Sequence, residues 1–180
     1  MKNEELNINV DKLNSIFCKF KSKNIFICGT GGSYITGLYA QKIIEDNTDN
    51  LCRVLKPMEV LQSRLDRFNL AIIFSYKMLN YDINRALQYI IKEKTNDKVI
   101  IFTSNRSFIK DNNKIDIIYY DNYNINEKTY VSFKGIYIPT YLLGKCFEKI
   151  NIDKEKIIKT KLECFNDKIL HVFYDRENFQ

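Results

Sequence analysis

The chain has 180 residues, of which 45% are hydrophobic and 28% are charged, so it can bury the core of one domain and is not disordered by composition. Its net charge of +6 comes from lysines that are interleaved with acidic residues, without the basic stripe that is typical of nucleic-acid binding. The start of the chain is polar, and no apolar run approaches the roughly 20 residues that cross a bilayer. We therefore expect a cytoplasmic protein whose partners include neither nucleic acid nor a membrane.

Five cysteines are scattered along the chain, and none belongs to a C-x-x-C pair. The single histidine, His171, accompanies no cluster of them. This pattern argues against a disulfide framework and against a zinc site, and it predicts reduced thiols. We expect neither a metal ion nor a cofactor.

Short apolar runs alternate with helical patterns along the chain. The first part predicts, in order, a helix over residues 2–21, a strand Asn24–Cys28, a helix over 34–46, a strand Leu51–Leu55, a short helix over 58–65 and a strand Leu70–Phe74. The second part predicts a helix capped by Asp82, a strand Lys98–Thr103, a strand over 115–120, a helix from about 131 to 150 that includes Pro139, a helix over 153–166 and an apolar run over 169–174.

Strands that are apolar throughout and are separated by amphipathic helices predict an α/β fold, with a parallel sheet that helices cover on both faces. Five strands and right-handed crossovers favour the doubly wound order 2-1-3-4-5. In that order the chain reverses direction between strands 1 and 3, and the crevice at their carboxyl ends is the expected ligand site. The loops that meet there cover residues 29–34 and 75–82.

The first of these loops has the composition of a phosphate site. Gly29, Gly31 and Gly32 let the backbone approach a ligand, and Thr30 and Ser33 add hydroxyl groups. The helix that follows presents free N–H groups and the positive end of its dipole. A tight turn without a ligand is the alternative. A Walker loop is excluded because no lysine ends the loop, and a dinucleotide fingerprint lacks its third glycine and its acidic residue.

Residues 27–34 resemble the opening motif of the SIS (sugar isomerase) domain family, an apolar strand followed by Gly-x-Gly-x-Ser, often a Tyr, and a helix that contains Ala. Gly37 and Ala40 continue the resemblance. SIS domains are five-stranded parallel α/β domains that bind phosphorylated sugars. They occur in the isomerase half of glucosamine-6-phosphate synthase, which this motif resembles most, in sugar-phosphate isomerases and deglycases, and in sugar-sensing regulators. The resemblance implies five substrate-binding residues in the first loop: Gly29, Thr30, Gly31, Gly32 and Ser33.

The family's second motif, roughly Ser-x-Ser-Gly-x-Thr-x-Asp after the third strand, is degenerate here. Ser75 and Asp82 match it at the right spacing, whereas Lys77, Met78 and Asn80 stand where the family has Ser, Gly and Thr. In the family these positions hold the phosphate. The resemblance therefore implies substrate contacts by Ser75, Lys77 and Asn80. Lys77 either supplies a charge-assisted hydrogen bond or points to water.

Two later segments extend the resemblance to about residue 143. The fourth strand ends at Thr103 in a Thr-Asn type of turn, which implies another substrate contact. Residues 127–134 keep the Glu, Ser and Lys of the synthase branch at matching spacing. The resemblance implies Glu127 as the acid/base of an aldose–ketose isomerisation, Lys134 as a second catalytic residue and Ser132 as a substrate contact. A glutamate exposed in a loop is the alternative.

Three functions are open on this basis: a sugar-phosphate sensor or regulatory binder, a sugar-phosphate isomerase or deglycase, and a dimerisation scaffold without a small ligand. The degenerate second motif favours the binder. SIS domains usually pair, which implies a homodimer. We expect residues 1–168 to form the SIS domain and residues 169–180 to form an extension that resembles the first strand of a second SIS half. His171 in this extension is either a structural residue or the group that opens the sugar ring.

Overall fold

The computed structural model describes residues 3–93, 97–108, 112–120 and 128–147. In chain order they form α1 (Asn3–Lys19), β1 (Asn24–Cys28), α2 (Gly32–Asn47), β2 (Leu51–Leu55), α3 (Pro57–Gln62), a 3-10 turn (Leu65–Arg67), β3 (Leu70–Phe74), α4 (Tyr81–Glu93), β4 (Lys98–Thr103), β5 (Ile115–Tyr119) and α5 (Lys128–Cys146).

The strands form one parallel sheet in the order β2-β1-β3-β4-β5, so the predicted α/β fold and its doubly wound topology are confirmed. β1 lies between β2 and β3, and its register against β3 runs from Ile25↔Leu70 to Cys28↔Ile73. The helices α2, α3 and α4 connect β1 to β2, β2 to β3 and β3 to β4, because a parallel pair needs a crossover from one end of the sheet to the other. The chain therefore leaves β1 towards one edge of the sheet and leaves β3 towards the other. Between β4 and β5 the described residues form no helix.

The central strands are continuous apolar runs in the sequence because their side chains are buried on both faces of the sheet. All residues of β3 are buried, and so are all but the first residue of β1 and of β4. Helices cover both faces of these strands, which leaves no face for polar side chains. In the edge strand β2 the first four residues instead alternate between exposed and half-buried, and only Leu55 is buried, so its apolar pattern is weaker.

The start of α4 corrects one prediction. The helix is capped by Asn80 rather than by Asp82, because Asn80 Oδ1 accepts a hydrogen bond from the amide of Ile83 at 3.0 Å and the helix already begins at Tyr81. Asp82 lies in the first turn of the helix, where its negative charge interacts favourably with the positive end of the helix dipole. Both residue types are good N-caps, so the sequence pattern alone did not separate them.

Pro139 lies inside α5 and helps to attach this helix to α2. A proline has no N–H, so the carbonyl of Gly135, four residues earlier, loses its partner within the helix. The hydroxyl of Thr36 on α2 donates to that carbonyl at 3.2 Å. The hydroxyl of Thr140 also donates to the carbonyl of Ile136 at 2.8 Å. The proline thus frees a backbone acceptor that a neighbouring helix uses.

Other element ends differ modestly from the prediction. The helix after β2 ends at Gln62 and is followed by the 3-10 turn, and α5 begins three residues before the predicted start. The predicted helix over 153–166 and the run over 169–174 lie outside the described residues. Within the described ranges, no helix is long and apolar enough to span a bilayer.

Candidate functional site

Two loops leave neighbouring strands at the carboxyl edge of the sheet. We call residues 29–33, after β1, the first corner and residues 75–80, after β3, the second corner. Cys28 is paired with Ile73, so the residues two positions further on, Thr30 and Ser75, leave the sheet side by side. Adjacent strands lie about 4.8 Å apart, so both corners border one crevice. This is also the point where the strand order reverses, as the sequence predicted.

The first corner is a tight turn that two glycines make possible. A Cβ at Gly29 would lie 2.5 Å from the carbonyl oxygen of Ser33, and Gly31 has a φ of +53°. The amide of Ser33 donates to the carbonyl of Thr30, and the amide of Tyr34 donates to the carbonyl of Gly31, each at 3.0 Å. The turn is therefore a rigid entry into α2, with its backbone folded closely on itself.

This turn leaves several donors at the positive end of the α2 dipole. The amides of Gly31 and Gly32 precede the first intrahelical hydrogen bonds, and the hydroxyls of Thr30 and Ser33 find no partner among the described residues. Thr30 and Ser33 are half-buried, and Gly31 and Gly32 are exposed. Unpaired donors of this kind at a helix N-terminus can bind a phosphate group.

The second corner is fixed to the end of β4. The carbonyl of Tyr76 accepts hydrogen bonds from the Thr103 hydroxyl, the Ser104 hydroxyl and the Ser104 amide, each at 2.9 Å. The side-chain amide of Asn105 donates to the carbonyl of Lys77 at 2.9 Å. The Thr103 hydroxyl also accepts from the amide of Asn105 at 3.1 Å and is buried. Thr103, one of the predicted substrate contacts, thus uses its hydroxyl to hold the loop.

The three residues that depart from the family motif have distinct environments. Met78 has a φ of +53°, a conformation that suits the glycine of the family motif, and its side chain is buried in the core. Asn80 uses its Oδ1 atom to cap α4. Lys77 is exposed. Ser75 is buried, and its amide donates to the carbonyl of Phe102 at 3.1 Å.

Helix α5 contacts both corners. A Cβ at Gly32 would lie 3.9 Å from Ile136 Cδ1, and a Cβ at Gly135 would lie 3.6 Å from the ring of Tyr76. Lys134 is the residue before Gly135, so the backbone of this candidate catalytic residue is beside the crevice. Ser132 belongs to the same helix, one turn earlier. Glu127 lies outside the described residues, and its predicted role stays a prediction.

Three residues at this edge were absent from the sequence-based site. Lys56 follows β2, and its Nζ atom lies 5.8 Å from the centre of the Tyr34 ring. The carboxylate of Glu59 accepts a hydrogen bond from the Lys56 amide at 2.6 Å. Burial, with a smaller contribution from the charge of Glu59, raises the pKa of Cys28 to about 12, so this thiol stays neutral. The position of Lys56 directly after a strand next to β1 could have indicated it.

In the part of the chain that the structure describes, no three His, Cys, Asp or Glu side chains come together in a way that could hold a metal ion.

The chain is similar to a known protein family and to several solved structures. A family model described as the SIS domain matches residues 20–140, more than half of the chain. Among curated proteins, no sequence matches this one closely enough to count as a relative.

Solved structures share the fold at low sequence identity. The C-terminal domain of glucosamine-fructose-6-phosphate aminotransferase from Francisella tularensis is 16% identical, with a TM-score of 0.55 over 91% of this chain and 50% of that one. The sugar isomerase domain of the RpiR transcription factor from Sphaerobacter thermophilus is 14% identical, with a TM-score of 0.57 over 92% of this chain and 91% of that one. The Vibrio vulnificus NanR protein complexed with ManNAc-6P is 12% identical, with a TM-score of 0.52 over 95% of this chain and 62% of that one. The chain spans about half the length of the first structures that it matches.

Proposed function

Because the chain belongs to the SIS domain family, we propose that it is a sugar-phosphate binder with a sensing or regulatory role. The main support for this proposal is the position of the two corners, which follow adjacent strands at the point where the strand order of the sheet reverses. Ligands of open α/β sheets bind at this point. The RpiR and NanR structures are regulators or sugar-phosphate complexes of the same fold, which supports this class of function.

We propose that the phosphate lies at the first corner. The amides of Gly31 and Gly32 and the hydroxyls of Thr30 and Ser33 offer donors, and the α2 dipole adds a positive potential. Lys77 supplies the charge from the second corner, in place of the hydroxyl that the family motif has there. A lysine contact to a phosphate is charge-assisted and stronger than a neutral hydrogen bond.

The second corner supports a binder more than an enzyme. Asn80 caps a helix with its side-chain oxygen, and the hydroxyls of Thr103 and Ser104 donate to the Tyr76 carbonyl within the protein. We infer that this corner is degenerate as a phosphate cradle, as the sequence suggests. A ligand would then be held by fewer groups, and recognition does not require the proton transfers that an isomerase performs.

Thermal unfolding with fructose 6-phosphate or glucosamine 6-phosphate at millimolar concentration tests this proposal. A ligand at ten times its Kd stabilises the native state by about 1.4 kcal/mol, which raises the Tm of a chain of this size by about 3–6 °C. Ser33→Trp fills the first corner and should abolish the shift. Ser107→Trp, on an exposed loop after β4, is the matched control and should keep it. The proposal is wrong if no sugar phosphate raises the Tm of the wild-type protein.

Lys77 has its own test. Lys77→Gln should weaken sugar-phosphate binding about tenfold in calorimetry, because it removes one charge-assisted contact of about 1.5 kcal/mol. Lys92→Gln, on the exposed last turn of α4, removes the same charge away from the crevice. Equal affinities of the two variants would show that Lys77 points to water.

An isomerase or deglycase is the second candidate, favoured by the position of Lys134 next to the residue of α5 that contacts the second corner. Proton exchange at the sugar C2 atom in deuterated water distinguishes it from a binder. An enzyme with Glu127 as the base shows exchange that Glu127→Gln removes. A wild-type protein that binds the sugar phosphate without exchange is the binder that we propose.

We further propose that the protein forms a homodimer in the cytoplasm. Ile35, Leu38 and Tyr39 are 43%, 43% and 57% exposed, at i, i+3 and i+4 on α2, so they form an apolar stripe on its outer face. A stripe of this kind supports pairing with a second copy. The four cysteines in the described ranges are free thiols, which agrees with a reducing compartment.

A further inference from the structure

A cavity of about 520 Å³ opens at the amino ends of β4 and β5. Its walls come from the second half of α1 with Phe20 directly after it, and from the residues at and just before the start of these two strands. The strands hold this amino-edge cavity about 17–20 Å from the two corners, which are at their carboxyl ends. Its volume falls in the range of about 300–1,000 Å³ that is usual for small-molecule sites.

The amino-edge cavity is positively charged. Among the described residues, four lysines and two aspartates line it, which gives this lining a formal charge of +2. Asp116 joins two of these lysines, because its carboxylate lies 3.1 Å from Lys12 Nζ and 2.7 Å from Lys98 Nζ. One negative charge thus faces two positive charges. The three side chains are 21–37% exposed, so water and salt screen them less than they screen a surface pair.

Counted over the described residues, each of the two ammonium groups keeps one N–H donor that a ligand could use. Lys12 also donates to the carbonyl of Ile117 at 3.4 Å, and Lys98 to the carbonyl of Asn113 at 3.1 Å. Each therefore uses two of its three N–H groups on partners among the described residues. An ion-pair network that only attached α1 to the sheet would be stabilised by balanced charges. The excess positive charge and the remaining donors favour an anionic ligand.

The same cavity has an apolar side. Ile16 is buried and Phe20 is half-buried, and both line the cavity next to Ser15. From this combination we propose that the amino-edge cavity binds a small molecule in which a di- or triphosphate group is joined to a flat apolar body, the chemical class of nucleoside polyphosphates. The body packs against Phe20.

The phosphates of this ligand lie against Lys12 and Lys98. Lys19 and Lys114 are exposed at the same cavity and add positive charge. The site is separate from the proposed sugar-phosphate site and does not depend on it.

Isothermal titration calorimetry of the whole chain with ATP, without a divalent cation, tests the proposal. Wild-type protein should bind one ATP per chain. Lys19→Gln with Lys114→Gln should weaken binding at least tenfold without removing the ion pairs of Asp116. Lys42→Gln with Arg53→Gln is the matched control, because it removes the same charge from exposed positions on α2 and β2, and it should stay within twofold of wild type.

Two further measurements locate the ligand. Phe20→Leu should weaken ATP binding but leave binding of inorganic tripolyphosphate unchanged, because only ATP has a body to pack there. Ser33→Trp should remove sugar-phosphate binding and leave ATP binding intact, so the two proposals can fail independently. Absence of ATP binding in wild type, wild-type affinity in the Lys19/Lys114 variant, or loss of ATP binding in Ser33→Trp would each overturn the proposal.

Discussion

Replacing Gly29 by alanine introduces a methyl group where the first corner has no room for one. The added Cβ would lie 2.5 Å from the carbonyl oxygen and 2.6 Å from the carbonyl carbon of Ser33. Both are backbone atoms of the first turn of α2, so no side-chain rotation relieves the clash. The turn would have to move by roughly 0.9 Å to restore a contact of 3.4 Å. Overpacking of this kind costs up to about 3 kcal/mol, which lowers the Tm of a chain of this size by about 6–12 °C.

Gly31 offers a matched comparison within the same turn. A Cβ at Gly31 meets no atom within 4 Å, so Gly31→Ala costs only the strain of a φ of +53°, about 1 kcal/mol. Gly31→Asn should cost less, because asparagine tolerates this conformation. We therefore expect stability to fall in the order Gly31→Asn, Gly31→Ala, Gly29→Ala, measured by urea unfolding. A Gly29→Ala variant as stable as Gly31→Asn would show that the first corner does not fold back on itself.

Three further changes test other parts of the account. Met78→Gly relieves about 1–2 kcal/mol of backbone strain but removes a buried side chain that contributes about 2–5 kcal/mol, so urea unfolding should show a net loss; a gain in stability would contradict the burial of Met78. Burial would raise the pKa of Asp116, but Lys98 and Lys12 lower it below its usual value. The stabilisation by Asp116 is therefore present at neutral pH and is lost as the pH falls through its folded-state pKa. Between pH 6 and pH 3, wild type should lose more stability than Asp116→Asn, and an equal loss would exclude the ion pairs. Leu38→Lys should convert a dimer into a monomer in light scattering, and a variant that stays dimeric would exclude the α2 stripe as the interface.

The strand order of the sheet could be predicted because the apolar pattern of the strands allows few positions for each of them. β3 and β4 are apolar on both faces, and only a central position in a helix-covered parallel sheet buries both faces. Once these strands are central, right-handed connections leave few orders for the others. The first corner was predicted because glycine permits a backbone that other residues do not: a Cβ at Gly29 would clash with Ser33, and Gly31 has a positive φ.

Side-chain partners across the chain could not be predicted in the same way. Whether Thr103 faces the crevice or holds the second corner depends on the position of the Tyr76 carbonyl, 27 residues away in sequence. The hydrogen bond from Thr36 to α5 depends on a proline more than 100 residues later. The packing of the whole chain determines these hydrogen-bond partners, so the sequence pattern around one residue does not indicate them.

The loss of the family's glycine at Met78 shows a limit of motif comparison. Comparison with the motif predicts that the loop is altered at this position, because glycine is the residue that adopts a positive φ without strain. The structure retains that conformation and buries the new side chain, so part of the strain is offset by hydrophobic contact. A substitution in a motif therefore need not change the backbone path of the loop.

A crystal structure of the protein soaked with fructose 6-phosphate tests the central claim most directly. The account predicts phosphate density between the two corners, within hydrogen-bond distance of the amides of Gly31 and Gly32 and the hydroxyl of Ser33, with the ammonium group of Lys77 turned towards it. An empty crevice at a saturating ligand concentration, or phosphate bound only elsewhere on the surface, would contradict it.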